Sequence, residues 1–242
     1  MKSSSSPEFG TWLSVGSPVI AELAAACGFD WVLLDLEHGC EAEAALPGQL
    51  RALRGSTTCG VVRVGAPHAD VIGRVLDWGA GGLMVPHVNT AAEAEAVVKA
   101  AHYSPRGHRG FSRTVRAYDY GLSAPDETPP VPRILAQIET VQGVENAESI
   151  AAVDGIDVLF VGPADLGHDM KARQCSWSFD ECLARVIAAA AKHHKQTGIL
   201  VRQREDLPKL HALGFTWLAM DSDLGILRNS FVKNLELRDT LG

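Results

Sequence analysis

Eight short apolar runs, separated by stretches with helical spacing, organise this chain. They cover residues 10–15, 31–36, 60–64, 82–86, 133–139, 157–162, 198–201 and 216–221. Most are continuous rather than alternating, as expected of parallel strands covered on both faces. Between them, Ser17-Pro18 marks a helix start, with Ile20, Leu23, Ala24 and Cys27 on one stripe and Gly28 as the stop. Thr90-Ala-Ala-Glu93 is a capping box that opens a helix over residues 91–101. Residues 71–78 and 180–193 have amphipathic spacing, and the segment 207–213 ends at Gly214. This alternation predicts an α/β fold, and eight strand–helix units predict a closed TIM (β/α)8 barrel. A doubly wound open sheet accommodates eight strands less well, and no G-x-G-x-x-G follows the first run.

A single barrel over residues 1–242 accounts for the whole length, with residues 1–8 as a loose leader. One connection is unusually long: no strand is evident from residue 103 to 132, and five prolines interrupt it (Pro105, Pro125, Pro129, Pro130, Pro132). It carries Arg106, Arg109, Arg113 and Arg116 beside Tyr118 and Tyr120. It reads either as a solvated excursion or as a lid or subunit contact near the barrel mouth. The net charge of -7 argues against nucleic acid or an anionic membrane surface as partner. The five cysteines contain no C-x-x-C pair and read as reduced thiols of a cytoplasmic protein. No hydrophobic segment follows the N-terminus to suggest a signal peptide, and no run approaches the roughly 20 apolar residues of a membrane helix.

The chemistry collects where the apolar runs end. Asp35-Leu-Glu-His38 closes the second run, with Asp35 and Glu37 on one face and His38 turning into the loop. Arg63 nearly ends the third, Gln137 and Glu139 end the fifth, and Asp165 follows the sixth. Ionisable groups at several strand ends are the pattern of a barrel active site, because desolvating them is costly unless they are paired or used. Glu139 and Asp165 would repel unless a cation sat between them, and hard oxygen donors suit Mg²⁺, Mn²⁺ or a similar divalent ion. For either carboxylate alone, a helix cap or an Arg partner is the plainer role. The Gly162-Pro-Ala-Asp165 turn can leave main-chain N–H groups free to cradle a carboxylate. Arg63 requires an anionic partner, which is Asp35, Glu37 or a substrate carboxylate. His38 becomes a base if Asp35 accepts from one of its ring nitrogens. His87, at the fourth strand end, is a weaker candidate, and Trp12 either walls the pocket or packs in the core. No lysine lies at a proposed strand end, which argues against a Schiff-base mechanism.

Taken in order, these segments resemble the HpcH/HpaI family of class II, metal-dependent pyruvate aldolases. The resemblance runs from Gly10-Thr-Trp12 to Ser222-Asp-Leu-Gly225. Its specific parts are Phe29-Asp-Trp-Val-Leu-Leu-Asp-Leu-Glu-His-Gly39, Val61-Val-Arg-Val64, Val85-Pro-His-Val-Asn-Thr90, Arg106-Gly-His-Arg-Gly-Phe-Ser112, Gln137-Ile-Glu-Thr140 and Phe160-Val-Gly-Pro-Ala-Asp-Leu166. It implies a divalent cation (Mg²⁺ or Mn²⁺, with Co²⁺ a further candidate) held by Glu139 and Asp165. It also implies that Arg63 contacts pyruvate and that an Asp35–His38 pair orients a water that moves the proton. Gln137 would line the site, and the backbone at Ala164 and Asp165 would receive the carboxylate of a small 2-oxoacid. Family members assemble as homo-oligomers, hexamers or trimers, with exchanged C-terminal helices, so residues 224–237 are expected to pack on a neighbour.

The implied activity is that of a carbon–carbon lyase: a 4-hydroxy-2-oxoacid is cleaved to pyruvate and an aldehyde. The alternative is a citrate-synthase-like condensation of oxaloacetate or another 2-oxoacid with acetyl-CoA. Two departures from the family pattern stand out. The segment 167–177 is more charged than expected where the aldehyde half should sit, and Cys40 follows Glu-His-Gly. Neither touches the proposed cation or base positions.

Overall fold

A computed structural model describes residues 6–40, 42–123 and 131–238. All eight predicted runs are strands: β1 (Glu8–Leu13), β2 (Trp31–Asp35), β3 (Cys59–Arg63), β4 (Gly82–Val85), β5 (Arg133–Ile138), β6 (Val158–Val161), β7 (Gln196–Val201) and β8 (Trp217–Ser222). Each lies parallel to its neighbours and β8 pairs back onto β1, closing the expected barrel. The helices are α1 (Pro18–Ala26), α2 (Leu46–Ala52), α3 (Ala69–Asp77), α4 (Ala91–Ala101), α5 (Val141–Glu145), α6 (Ala147–Ala151), α7 (Pro163–Ala172), α8 (Phe179–Lys192), α9 (Leu207–Leu213) and α10 (Asp223–Glu236). No helix among the described residues is long and apolar enough to cross a membrane.

The strands are continuously apolar because both of their faces are buried, in two separate cores. Trp12, Trp31, Leu33, Val61, Met84, Leu135, Val158, Phe160 and Trp217 fill the barrel interior. The residues between them, such as Val32, Leu34, Val62, Leu83 and Ile134, pack beneath the helices. Trp31 stacks on Trp217 with ring centroids 5.1 Å apart and meets Phe160 edge-on at 6.1 Å. Space for three large rings comes from Gly10 and Gly198, where a Cβ would collide with Trp31 and Phe160 respectively. This is the large-against-small layering that fills a barrel without strain.

Local signals hold in most places. The Thr90 capping box is formed, with Thr90 Oγ1 accepting from the Glu93 N–H and Glu93 accepting from the Thr90 N–H. Gly214 ends α9 in the left-handed conformation. The stripe of α1 is different from the one expected: Ala21 and Ala24 are buried, while Leu23 and Cys27 are exposed, so α1 approaches its neighbours through small residues. Of the expected loose leader, residues 1–5 lie outside the described residues, and Glu8 is not loose. It begins β1 opposite Trp217 and pairs with Arg133 at 2.9 Å.

The long connection corrects a larger expectation. It joins the end of α4 to the start of β5, so it lies at the amino ends of the strands, opposite the barrel mouth. Arg109 pairs with Asp77 at the end of α3, and Arg116 donates to the carbonyls of Trp78 and Leu50 at 2.6 and 2.9 Å. Its described part is therefore no lid over the mouth. Its arginines fasten the floor of the barrel, and residues 124–130 lie outside the described residues.

Candidate active site

Strand ends and the head of α7 bring the polar groups together at the carboxyl end of the barrel. Asp35 and Arg63 are register partners on β2 and β3. Arg63 Nε donates to Asp35 Oδ1 at 2.9 Å and Nη2 donates to Oδ2 at 2.6 Å, while Nη1 lies 2.8 Å from Glu37 Oε2. Burial alone would raise the Asp35 carboxyl, but the Arg63 guanidinium and the main-chain N–H groups of Glu37 and His38 more than reverse this. Its pKa lies below the ordinary value of 3.8. Trp12 is buried against Phe160, and the Arg63 guanidinium lies 5.3 Å from the centre of its ring. Trp12 is therefore part of the barrel core and also lies against the arginine.

Arg63 thus has its protein partners, and they are the two carboxylates of its own neighbourhood. A guanidinium has five N–H donors. The three contacts above leave one donor on Nη1 and one on Nη2 for a further acceptor.

The expected Asp35–His38 dyad is not formed through the ring. Asp35 accepts from Arg63 on both oxygens, and the main-chain N–H groups of Glu37 and His38 donate to Oδ1 at 3.0 and 3.3 Å. Four donors thus reach the carboxylate, and none of them is the His38 ring. The His38 ring is mostly exposed and its nearest carboxylate is Glu37, with Nε2 4.0 Å from Oε1. Sequence spacing placed the two residues side by side; the alternative in which Asp35 serves as the anionic partner of Arg63 is the one the structure shows.

Glu139 follows β5 and is 2 % exposed. Gln137 Nε2 donates to its Oε2 at 2.5 Å, and the His87 main-chain N–H donates to Oε1 at 2.8 Å. Among the described residues no Lys or Arg pairs with it; the His87 ring, 3.2 Å from Oε1, is its one possible cationic neighbour. Burial pushes its carboxyl up. The His87 contacts oppose this, and the negative charges of Asp165 and Glu37 add to it, giving a value of about 7. Asp165 lies in the first turn of α7, exposed and near enough to contribute to this repulsion. A buried carboxylate beside two others, with no guanidinium or ammonium partner, fits a divalent cation. Gln137 Oε1, on the amide that donates to Glu139, lacks a hydrogen-bond partner among the described residues. No group of three or more His, Cys, Asp or Glu residues suited to an ion occurs among the described residues. Two carboxylates as the protein's share would leave the remaining positions to substrate and water.

Gly162 went unremarked in this role. A Cβ there would lie 2.5 Å from Glu139 Oε2 and 2.9 Å from Gln137 Nε2. Its only signal in the sequence was its place between an apolar run and a proline. Gly162→Ala should displace Glu139 and Gln137 while the protein stays folded, and if these groups serve a cation its affinity should fall at least about tenfold, measured by calorimetric titration beside thermal unfolding.

The segment 167–177 is not a loop throughout. Most of it continues α7, whose Asp169 accepts from the Val141 N–H at the head of α5 at 2.8 Å and pairs with Arg173. A cleft of about 520 Å³ lies on this rim, lined by Gln142, Glu145, Asn146, Arg173 and Trp177 among others. Among the described residues no lysine lies at a strand's carboxyl end.

Fold and site together define a (β/α)8 barrel of the type that carries ionisable groups at the carboxyl ends of its strands. Within that class, the chain belongs to the HpcH/HpaI aldolase/citrate lyase family, whose model matches residues 8–230. A 5-keto-4-deoxy-D-glucarate aldolase of Klebsiella pneumoniae is 37 % identical over 93 % of this chain and 90 % of its own length. The structure is similar to that of an HpcH/HpaI aldolase/citrate lyase family protein from Burkholderia cenocepacia, with a TM-score of 0.90 and 31 % identity over 98 % of this chain and 96 % of the other. It is also similar to that of the citrate synthase SbnG, with a TM-score of 0.83 and 27 % identity over 98 % and 95 % of the two chains.

Proposed function

We propose that this protein is a divalent-cation-dependent aldolase that cleaves, or in reverse forms, a 4-hydroxy-2-oxoacid, with pyruvate and an aldehyde as the other partners. The observation that carries the reading is the buried Glu139 carboxylate, crowded by Asp165 and paired with no Arg or Lys among the described residues, facing the same mouth as an arginine with donors to spare. The curated relatives support it. Read from its other end, 5-keto-4-deoxy-D-glucarate is itself a 4-hydroxy-2-oxoacid: a keto carbon beside a carboxylate, then the deoxy carbon, then a hydroxyl-bearing carbon.

In this reading Glu139 and Asp165 hold the cation, Mg²⁺ or Mn²⁺ with Co²⁺ a further candidate. When bound, it supplies a Lewis acid that draws electron density from the ketoacid. The main-chain N–H groups of Ala164 and Asp165, in the first turn of α7 behind Pro163, receive the substrate carboxylate. The spare Arg63 donors face the charge that develops on the keto oxygen as the C3–C4 bond breaks. Asp35, Glu37 and Trp12 hold the guanidinium in place, and Gln137 lines the site while fixing Glu139. His38 remains the candidate base for the C4 hydroxyl, working from an exposed position with Glu37 rather than Asp35 beside it. Incubation with 5-keto-4-deoxy-D-glucarate and related hydroxy-oxoacids should release pyruvate, stop with a chelator and resume with Mg²⁺ or Mn²⁺. Full activity in metal-stripped protein would overturn the reading. Free thiol released from acetyl-CoA in the presence of a 2-oxoacid would instead favour the condensation chemistry of the citrate synthase relative.

The same reading includes a homo-oligomer, a trimer or hexamer. Helix α10 exposes Leu224, Ile226, Phe231, Val232 and Leu235. Beside it, a groove of about 760 Å³ is lined by Phe9, Phe29, Leu207 and Met220 among others. Apolar surface on this scale is normally covered by a partner. Sedimentation should give a particle of several chains; a monomer at micromolar concentration would remove this part of the proposal.

A further inference from the structure

His87 occupies the turn between β4 and α4 in the left-handed conformation, with φ 52°. Residues other than glycine adopt this sparingly, and it persists where the surroundings enforce it. They do so here. The Val88 N–H donates to the Gln137 carbonyl at 3.2 Å, Asn89 Nδ2 donates to the His87 carbonyl at 3.0 Å, and Asn146 Nδ2 donates to the Asn89 carbonyl at 2.7 Å. Held this way, His87 meets Glu139 twice on one oxygen: its main-chain N–H lies 2.8 Å from Oε1 and its ring Nδ1 lies 3.2 Å from the same atom.

Two plainer roles do not account for the ring. It does not cap α4, because Thr90 and Glu93 do that. It does not serve the core, because its side chain is 55 % exposed. It stands against one oxygen of a carboxylate whose other oxygen accepts from Gln137.

We propose that His87 is a positioning residue of the cation centre, holding Oε1 of Glu139 by its main-chain hydrogen bond and by the close contact of its ring, so that the carboxylate is preset to bind the ion. The inference rests on the cation reading of the site given above. A ligand carboxylate confined from behind loses less freedom on binding, and removing an outer partner typically lowers metal affinity about 10- to 100-fold. The ring acts through Glu139, so its effect falls on cation affinity rather than on the chemical step.

His87→Gly is the clean deletion, because glycine keeps the main-chain donor and accepts the left-handed backbone. His87→Asn is the rescue: asparagine tolerates that backbone and places an amide nitrogen close to where Nδ1 stood. Mn²⁺ affinity is read on metal-free protein from the electron paramagnetic resonance of free Mn²⁺, with thermal unfolding to confirm the fold. His87→Ala serves as a second deletion if the glycine protein is unstable. The deletion should weaken Mn²⁺ binding about 10- to 100-fold, the asparagine variant should recover most of it, and saturating Mn²⁺ should return kcat of the deletion to near the wild-type value. Unchanged affinity in the deletion, no recovery in His87→Asn, or a kcat that stays low at saturating Mn²⁺ would each overturn the assignment. Wild-type protein that binds no Mn²⁺ would instead overturn the cation reading itself.

Discussion

Mn²⁺ binding to the metal-free protein should strengthen about tenfold per pH unit up to roughly pH 7 and level off above it, and Glu139→Ala or Asp165→Ala should abolish both binding and turnover. The reason is the position of Glu139. Burial, with Asp165 and Glu37 nearby, raises its carboxyl to about 7. Below that pH a cation must displace a proton; above it the site is already ionised. The sign for folding follows from the same shift. A carboxyl raised above its ordinary value of 4.5 contributes stability that is complete below 4.5 and is lost as the pH rises through about 7. Metal-free protein should therefore weaken across that window by an amount on the order of 3 kcal/mol, and Mn²⁺ should restore it. Calorimetric titration at several pH values, paired with thermal unfolding with and without Mn²⁺, tests both statements. A flat affinity from pH 5.5 to 8, or retained binding in Glu139→Ala, would mean that the ion sits elsewhere.

Arg63→Ala should stop turnover and cost about 3–5 kcal/mol of stability, the usual effect of stripping the cation from a buried ion pair. The wild-type interaction works above the ordinary Asp value. Asp35 is held below 3.8, so its contribution is present above that pH and is lost as the pH falls through the lowered value. In Arg63→Ala the dependence reverses, because a buried Asp35 without its partner is best tolerated protonated. The Asp35 contribution in the variant should therefore grow as the pH falls, opposite in sign to its contribution in the wild type. Arg63→Lys should rescue neither property. One ammonium cannot reproduce the fork that places Nε and Nη2 on Asp35 and Nη1 on Glu37. Unfolding curves at pH 4 and pH 7, with kcat beside them, separate these outcomes. An Arg63→Lys protein at wild-type rate would sink the argument for a fork.

The strands were legible because burial on both faces leaves no room for polar residues, and that constraint is written residue by residue. The site's membership was legible for the opposite reason. Charged groups at the end of an apolar run, such as Arg63 and Glu139, violate the pattern, and a violation at a strand end points to the mouth of a barrel. The lid reading of the arginine-rich connection failed because composition reports charge and not the end of the barrel it lies on. Its place follows from topology: it leads from a helix back to the start of a strand, so Arg109 and Arg116 serve the floor. The α1 stripe misled because Leu23 has the right spacing but α1 packs through Ala21 and Ala24.

Hydrophobic periodicity and the residue types at its breaks determined the barrel, its eight staves, and a set of acidic and basic groups at one end, since these depend only on short-range alternation and the cost of burying charge. Who pairs with whom was decided by the tertiary structure alone. Asp35 lies three residues from His38 yet meets only its main-chain N–H and gives both oxygens to Arg63, 28 residues away, and His87 reaches Glu139 across 52. Such pairings arise only when closure of the sheet brings separate strand ends within hydrogen-bond distance, and no local pattern carries that distance.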